Sequence, residues 1–462
     1  MDAHPPLIEH AGEPQSNALR GRLSRVEPKG LRTYTPSLAM VARSQGCYVW
    51  TPEERKLADF TSGVLVSNLG HNPVRWWQRV WRYMQLPDVH AVSDAFVSAM
   101  PLTSYNAASE LEVDCCERLL ANMRAQPGGG RMEQVLWAAS GSEAIQKSLW
   151  ASLRFTPGRD VILATRRGFH GKKGLANAVT GSETDPDRDP RVRFISFPTD
   201  ECCDVQRRRE PIDLAPYERE LQSLADELAG RFCCLITEPY LGGSGSFHPQ
   251  PEYLQLLERF CRQHDIIFIL DEIQSNFGRT GPMYAYTHYG VEPDIVCLGK
   301  GLGNGVPVSA AVGRADVLGS LDYGHGSDTW SAHPLGSAAV LATLDEFETT
   351  DVLAQGQRLS ATLEHGLERL KETGIVANVR GEGCVWGVEC RDIGALTGRD
   401  VANACVKACY LGDDRGRAVH LLGPLASKVL RVSPPLVMPV DEARDYLDAM
   451  YDVLGTVAKQ VS

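Results

Sequence analysis

From Val135 to Val312 the apolar residues come in short, nearly unbroken runs, and polar positions cluster between them. The runs are VLWAAS from Val135, VILATR from Val161, VRFISF from Val192, CCLITEP from Cys233, IIFILDE from Ile266, DIVCLGK from Asp294 and SAAVG from Ser309. Such runs, bounded by Gly, Pro and polar residues, suit strands buried on both faces of a parallel sheet. Between them, Ser142–Phe155, Glu218–Leu228 and Glu252–Gln263 read as helices. Strand and helix in alternation predict an α/β fold, a mostly parallel sheet flanked by helices.

Outside this stretch the pattern changes. Residues 1 to about 35 are polar and Pro-rich and read as a mobile or surface-wrapping arm. Between Cys47 and Asn68 the chain reads as short strands and turns, CYVW, then LADF, then VLVSNLG. Asn72-Pro73 opens a helix carrying Trp76, Trp77, Trp81 and Tyr83, aromatics suited to core or dimer-interface packing. A long helix follows Leu335, and the remainder reads as a smaller α+β region. The expected organisation is 1–70 as arm and part of a small domain, 71–345 as the large domain, and 346–462 as the rest of the small domain, which both chain ends build.

With 462 residues the chain exceeds one simple core. Its net charge of −11 argues against nucleic acid or an anionic membrane as partner. The Arg207-Arg208-Arg209 run reads as a solvated loop. No basic segment followed by an apolar stretch opens the chain, and no apolar run approaches ~20 residues, so neither a secretory signal nor a membrane span is expected. The 13 cysteines include adjacent pairs but no C-x-x-C. They read as small core residues in a reducing cytosol, so a cytoplasmic location is expected. Cys261 and His264 form a lone C-x-x-H, too little for a metal site, and no metal is expected.

Two runs end abruptly in chemistry. IIFILDE delivers Asp271 and Glu272, with Gln274 just beyond, and DIVCLGK delivers Lys300. Ligands of parallel sheets bind beyond the carboxyl ends of the strands, so the acid and the lysine should face one crevice. A buried carboxylate and a lysine are what pyridoxal 5'-phosphate needs, the acid to keep the ring nitrogen protonated and the amine to bind the aldehyde. Ser140-Gly141-Ser142 follows a strand and starts a helix, where free amides and the helix dipole can hold a phosphate; a plain helix cap is the alternative. Phe169-His170-Gly171 follows another strand and offers a flat ring for stacking. Lys300 precedes Gly301, which breaks the Walker A pattern, and Val306 breaks G-x-G-x-x-G, so a nucleotide loop is not expected.

Taken together, the chain resembles the class III (ω-type) pyridoxal-phosphate-dependent aminotransferases of fold type I. The likeness runs from about Gly46 to the C-terminal helix. It rests on GHNP at Gly70, SGSEA at Ser140, FHG at Phe169, EPYLGGSG at Glu238, LDEIQSNFGRTG at Leu270, GKGLGNGVP around Lys300, DTWSAHPL at Asp328, RGEG at Arg380 and RVSPPL at Arg431. The resemblance implies a Schiff-base role for Lys300 and a ring-nitrogen role for Asp271. It implies that Gln274 meets the phenolic oxygen, that Phe169 and Ile273 flank the ring with His170 beside them, and that Ser140, Gly141 and Ser142 hold the phosphate. Thr329 would reach the phosphate from the neighbouring subunit, implying a homodimer with shared sites. Arg431 would grip a substrate carboxylate as a bidentate pair, and Glu238 would mask it when the other substrate arrives.

The segment HGSDTWSAHP departs from the family pattern HGTTFGGNP. It carries one extra residue, Trp330 for Phe, and Ser331-Ala332 for a glycine pair, so Thr329 aligns within one position and Trp330 narrows the substrate pocket. Val64, Leu65 and Ser67 fall where family members line that pocket. The expected reaction is ping-pong transamination between an amino acid or ω-amine and a 2-oxo acid. A decarboxylase, racemase or aminomutase on the same fold is the alternative, and a non-catalytic scaffold the third.

Overall fold

The computed structural model describes residues 7–186, 188–228 and 230–461; the first six positions of the N-terminal arm lie outside them. The chain divides into two units. The larger holds Val66–Asn68 and Val74–Ala354; the smaller holds the residues up to Leu65, Leu69–Pro73 and the chain from Gln355 onward.

The smaller unit opens with strands β1 (Arg43–Gln45), β2 (Tyr48–Trp50) and β3 (Lys56–Asp59). The larger unit contributes β4 (Gln134–Ala138), β5 (Val161–Thr165), β6 (Val192–Ile195), β7 (Phe232–Thr237), β8 (Ile267–Asp271), β9 (Ile295–Leu298) and β10 (Ser309–Gly313). These seven form one sheet in the order β4-β10-β9-β8-β7-β5-β6. β10 runs against both neighbours, while β9, β8, β7, β5 and β6 run parallel. Every apolar run of the central stretch is one of these strands. β5, β7, β8, β9 and β10 are buried along their whole length, as helix cover on both faces requires.

Register sets what the strand ends share. Thr237 pairs with Leu270 and Asp271 with Cys297, so the residues after β7, β8 and β9 emerge side by side at one sheet edge. The helix Gly141–Phe155 follows β4 at the same edge; its Ser140 cap accepts from the Glu143 amide, and the Glu143 carboxylate takes the Ser140 amide in return. The helix Val74–Tyr83 buries Trp76, whose Nε1 donates to Thr343 Oγ1 at 3.0 Å.

In the smaller unit, β13 (Ala418–His420) lies parallel to β3 and completes the sheet β1-β2-β3-β13. An antiparallel sheet joins β11 (Val376–Glu382), β12 (Val385–Cys390) and β14 (Val429–Val432). One local expectation fails here. VLVSNLG forms no strand: Ser62, Gly63, Val64 and Leu65 all have positive φ (48°, 58°, 72° and 62°), which coils the chain left-handed instead of extending it. Thr61 holds that coil, its carbonyl accepting from the amides of Val64 and Leu65. The N-terminal segment is docked, with a helix over Pro14–Val26 whose buried Arg20 donates to Glu13 (2.7 Å), Tyr410 Oη (3.1 Å) and the Leu38 carbonyl (3.0 Å). Among the described residues no helix is long and apolar enough to cross a membrane, and no group of three or more His, Cys, Asp or Glu is placed to hold a metal.

Candidate active site

At the carboxyl edge of the large sheet lies a cavity of about 190 Å³. Its lining includes Ser140, Gly141 and Ser142 from the β4 loop, Phe169 and His170 after β5, and Glu238 after β7. Asp271, Ile273 and Gln274 follow from β8, Lys300 from β9 and Ser309 from β10.

Asp271 ends β8 and is buried. Its Oδ1 accepts the Ile273 amide at 3.0 Å, and its Oδ2 meets His170 Nδ1 at 2.7 Å. A carboxylate has no proton to give, so Nδ1 donates. His170 Nε2 then lies buried with no hydrogen-bond partner among the described residues. Two fixed donors aim the carboxylate and leave lone pairs for a further N–H. The neighbouring Glu272 takes the opposite course: it points away from the cavity and accepts the amides of Ala285 and Tyr286, each at 2.7 Å. Burial pushes its carboxyl up to about 7.

Lys300 follows Gly299 with φ of 47°, a left-handed turn that ends the strand abruptly. Asn276 fixes that turn, its Nδ2 donating to the Gly299 carbonyl at 3.1 Å and to the Ile273 carbonyl at 3.3 Å. The lysine and Asp271 thereby line the same cavity, one from each of two adjacent parallel strands.

Glu238 accepts the Phe169 amide at 2.8 Å and the Gly242 amide at 3.1 Å. Burial pushes its carboxyl up to about 7, with His170 opposing and the charge of Asp271 adding to the rise. Two backbone amides thus aim this carboxylate, one on each oxygen, and leave lone pairs for a further donor. Gln274 Oε1 accepts from Tyr240 Oη at 3.4 Å, and the Tyr240 ring stacks on His248 at 4.2 Å.

The lining fits a planar phosphorylated cofactor. The amides of Gly141 and Ser142 make no hydrogen bond among the described residues, and they open a 15-residue helix, so two donors and the helix dipole await an anion. Phe169 is 39% exposed and lines the cavity. A Cβ on Gly141 would come within 2.7 Å of Ile273 Cδ1, and one on Gly242 within 2.4 Å of Gln274 Oε1, so the backbone approaches as closely as side chains allow.

Three expected site residues are not among those lining this cavity. Thr329 and Trp330 belong to the larger unit but do not line the cavity; both are exposed, Trp330 by 59%. Arg431 is buried on β14 of the smaller unit, opposite Gly387 of β12. Asn276, Tyr240 and Ser309 were not anticipated. Asn276, two residues beyond Gln274, carried the only usable signal.

The family model described as aminotransferase class-III matches residues 30–454. The chain is 31% identical over 426 residues to the acetylornithine aminotransferase of Streptomyces coelicolor, covering 92% of this chain and 93% of that one. It is 28% identical over 445 residues to the leucine/methionine racemase of Thermococcus litoralis, covering 94% and 95%. Among solved structures it resembles an amine transaminase from an uncultivated Pseudomonas species in its pyridoxal-phosphate-bound form. That likeness has a TM-score of 0.77 at 23% identity and covers 95% and 97% of the two chains, a likeness of fold. The chain belongs to the class-III aminotransferases, enzymes of fold type I that work with pyridoxal 5'-phosphate.

Proposed function

We propose that this transaminase moves the amino group of an amino acid or ω-amine to a 2-oxo acid at the cavity between Asp271 and Lys300. The cofactor supplies an aldehyde that binds amines and a protonated ring that draws electrons from the substrate carbon. The chain supplies everything else. Lys300, the one lysine among the lining residues, would hold the cofactor covalently, and its Nζ would carry the proton to and from the substrate carbon. Asp271, steered by His170 and the Ile273 amide, would keep the ring nitrogen protonated. Gln274 would donate to the phenolic oxygen, and Phe169 and Ile273 would clamp the two ring faces. The amides of Gly141 and Ser142, with the hydroxyls of Ser140 and Ser142, would hold the phosphate. Glu238 holds Phe169 in place through its amide, and as a second role would answer Arg431, which grips the substrate carboxylate.

The observation that carries this reading is the shared cavity of Asp271 and Lys300 with two unused helix amides at its rim. The test is to incubate the loaded enzyme with a panel of amino donors. Conversion of the cofactor spectrum to its pyridoxamine form, reversed by a 2-oxo acid, is expected; no conversion with any donor would remove transamination.

The racemase among the relatives keeps a second outcome in view. Chiral analysis of leucine or methionine incubated with enzyme and no oxo acid separates the two, because a transaminase leaves configuration unchanged under those conditions.

We further propose a homodimer in which Thr329 of each copy reaches the other's phosphate and Trp330 narrows its pocket. Phe96 (90% exposed), Leu102 (68%) and Trp81 (46%) supply apolar surface for a second copy to cover. A cytosolic location agrees with 13 cysteines that are all free thiols.

A further inference from the structure

Lys147 lies on the second turn of the helix Gly141–Phe155 and is only 4% exposed. A buried ammonium is costly unless every proton finds an acceptor, and here all three do. Nζ donates to the Trp137 carbonyl at 2.6 Å, to Asp328 Oδ2 at 2.7 Å and to Ser331 Oγ at 2.9 Å. Asp328 and Ser331 belong to the segment where the chain departs from the family pattern.

The contacts define a closed clamp. Ser331 Oγ also lies 2.5 Å from Asp328 Oδ2, which takes its one proton, and 2.9 Å from the Trp137 carbonyl. Asp328 Oδ1 accepts the amides of Trp330 at 3.0 Å and Ser331 at 2.7 Å. Partial burial raises the Asp328 carboxyl, but Lys147 and Ser331 outweigh it and hold the pKa below its ordinary value. The turn needs holding, because Ala332 has φ of 55°, a strained conformation for a residue with a side chain. Between the clamped residues stand Thr329 and Trp330, both presented outward.

We infer that Lys147 is a positioning residue for the second copy's active site, its ammonium fixing the Asp328–Ser331 turn so that Thr329 and Trp330 meet the partner's cofactor and substrate. One helix then serves two sites, its N-terminal amides facing its own cavity and Lys147 setting the turn offered to the other. This inference rests on the shared-site reading of Thr329 given above.

The test uses the loaded dimer. Lys147→Met, Thr329→Val and their double variant are compared for the dissociation constant of pyridoxal 5'-phosphate, for dimer content by sedimentation, and for the donor KM against kcat. Both single variants should stay dimeric and lose roughly tenfold in cofactor affinity, the share of one charge-assisted hydrogen bond. The double variant should lose no more than Thr329→Val alone, because both act through one turn. Should Lys147→Met fail to fold, Asp328→Asn reads the same clamp from its other side and should lose affinity likewise. Normal affinity in the Lys147 or Asp328 variant beside a loss in Thr329→Val overturns the clamp and leaves the shared site standing. Normal affinity in Thr329→Val removes the shared-site reading itself.

Discussion

Gly141→Ala separates cofactor binding from folding more cleanly than any other change at the site. Gly141 opens a 15-residue helix, and its φ is not in the left-handed region, so alanine suits the backbone. Helix propensity alone would favour the substitution by up to about 1 kcal/mol. The added Cβ, however, falls 2.7 Å from Ile273 Cδ1 and 3.3 Å from its Cγ2. Ile273 must turn away, and Ile273 is the side chain proposed to press one face of the cofactor ring. Overpacking of this kind costs about 1–3 kcal/mol. Without cofactor the two effects offset, because the isoleucine can swing into the cavity of about 190 Å³. With cofactor it cannot, and the full cost falls on binding, a loss of roughly 5- to 150-fold in affinity. Thermal unfolding of the apo protein and a spectroscopic titration with pyridoxal 5'-phosphate read the two quantities apart. An unchanged apo midpoint with weakened binding is expected. Binding within twofold of the parent would refute the placement of Ile273 on the ring face.

Other consequences are open to measurement. The Glu272 carboxyl sits at about 7 against an ordinary 4.5 because it is buried, so between those values the folded state holds a proton that the unfolded state has released. Stability from this group is complete below the lower value and is lost as pH rises through the upper one, by about 3 kcal/mol. Glu272→Gln should reduce the pH dependence of the urea midpoint across that window, with Glu238 supplying the remainder, and an unaltered slope would exclude Glu272 as a source. Arg20→Met strips the buried Glu13 and Tyr410 of a partner. Because Arg55 still pairs with Glu13, the cost should fall near 3 kcal/mol, the lower end for a broken buried pair; a thermal midpoint unchanged within error would mean that the N-terminal helix is undocked in solution. Asn276→Ala removes the side-chain donor to the Gly299 and Ile273 carbonyls and should lower kcat about tenfold with little change in thermal midpoint, since the Gly299 carbonyl keeps the Leu302 amide; an unchanged kcat would mean that the turn holds itself.

Strand runs were legible because burial on both faces leaves no polar position to blur them, as in β7 and β8. Asp271 and Lys300 were legible because each ends such a run with a charge that a parallel sheet exposes at only one edge. The coil at Ser62–Leu65 was not legible: valine and leucine favour strands, and only Thr61 and its hydrogen bonds turn the backbone left-handed. The docked helix Pro14–Val26 was hidden because its anchor is one buried arginine within a polar face rather than an apolar stripe. Lys147 was hidden for the same reason, since its acceptors Asp328 and Ser331 lie far along the chain. Glu272 and Asp271 are adjacent and chemically alike, and only the strand's alternation sends one to the cavity and the other to the amides of Ala285 and Tyr286.

The most direct check is chemical. Enzyme loaded with pyridoxal 5'-phosphate is treated with borohydride, digested, and its peptides weighed. A pyridoxyl adduct confined to the peptide bearing Lys300, and missing from Lys300→Ala, is the expected result. A polypeptide of unaltered mass, or an adduct on some other lysine, would contradict the assignment of Lys300 as the amine facing Asp271.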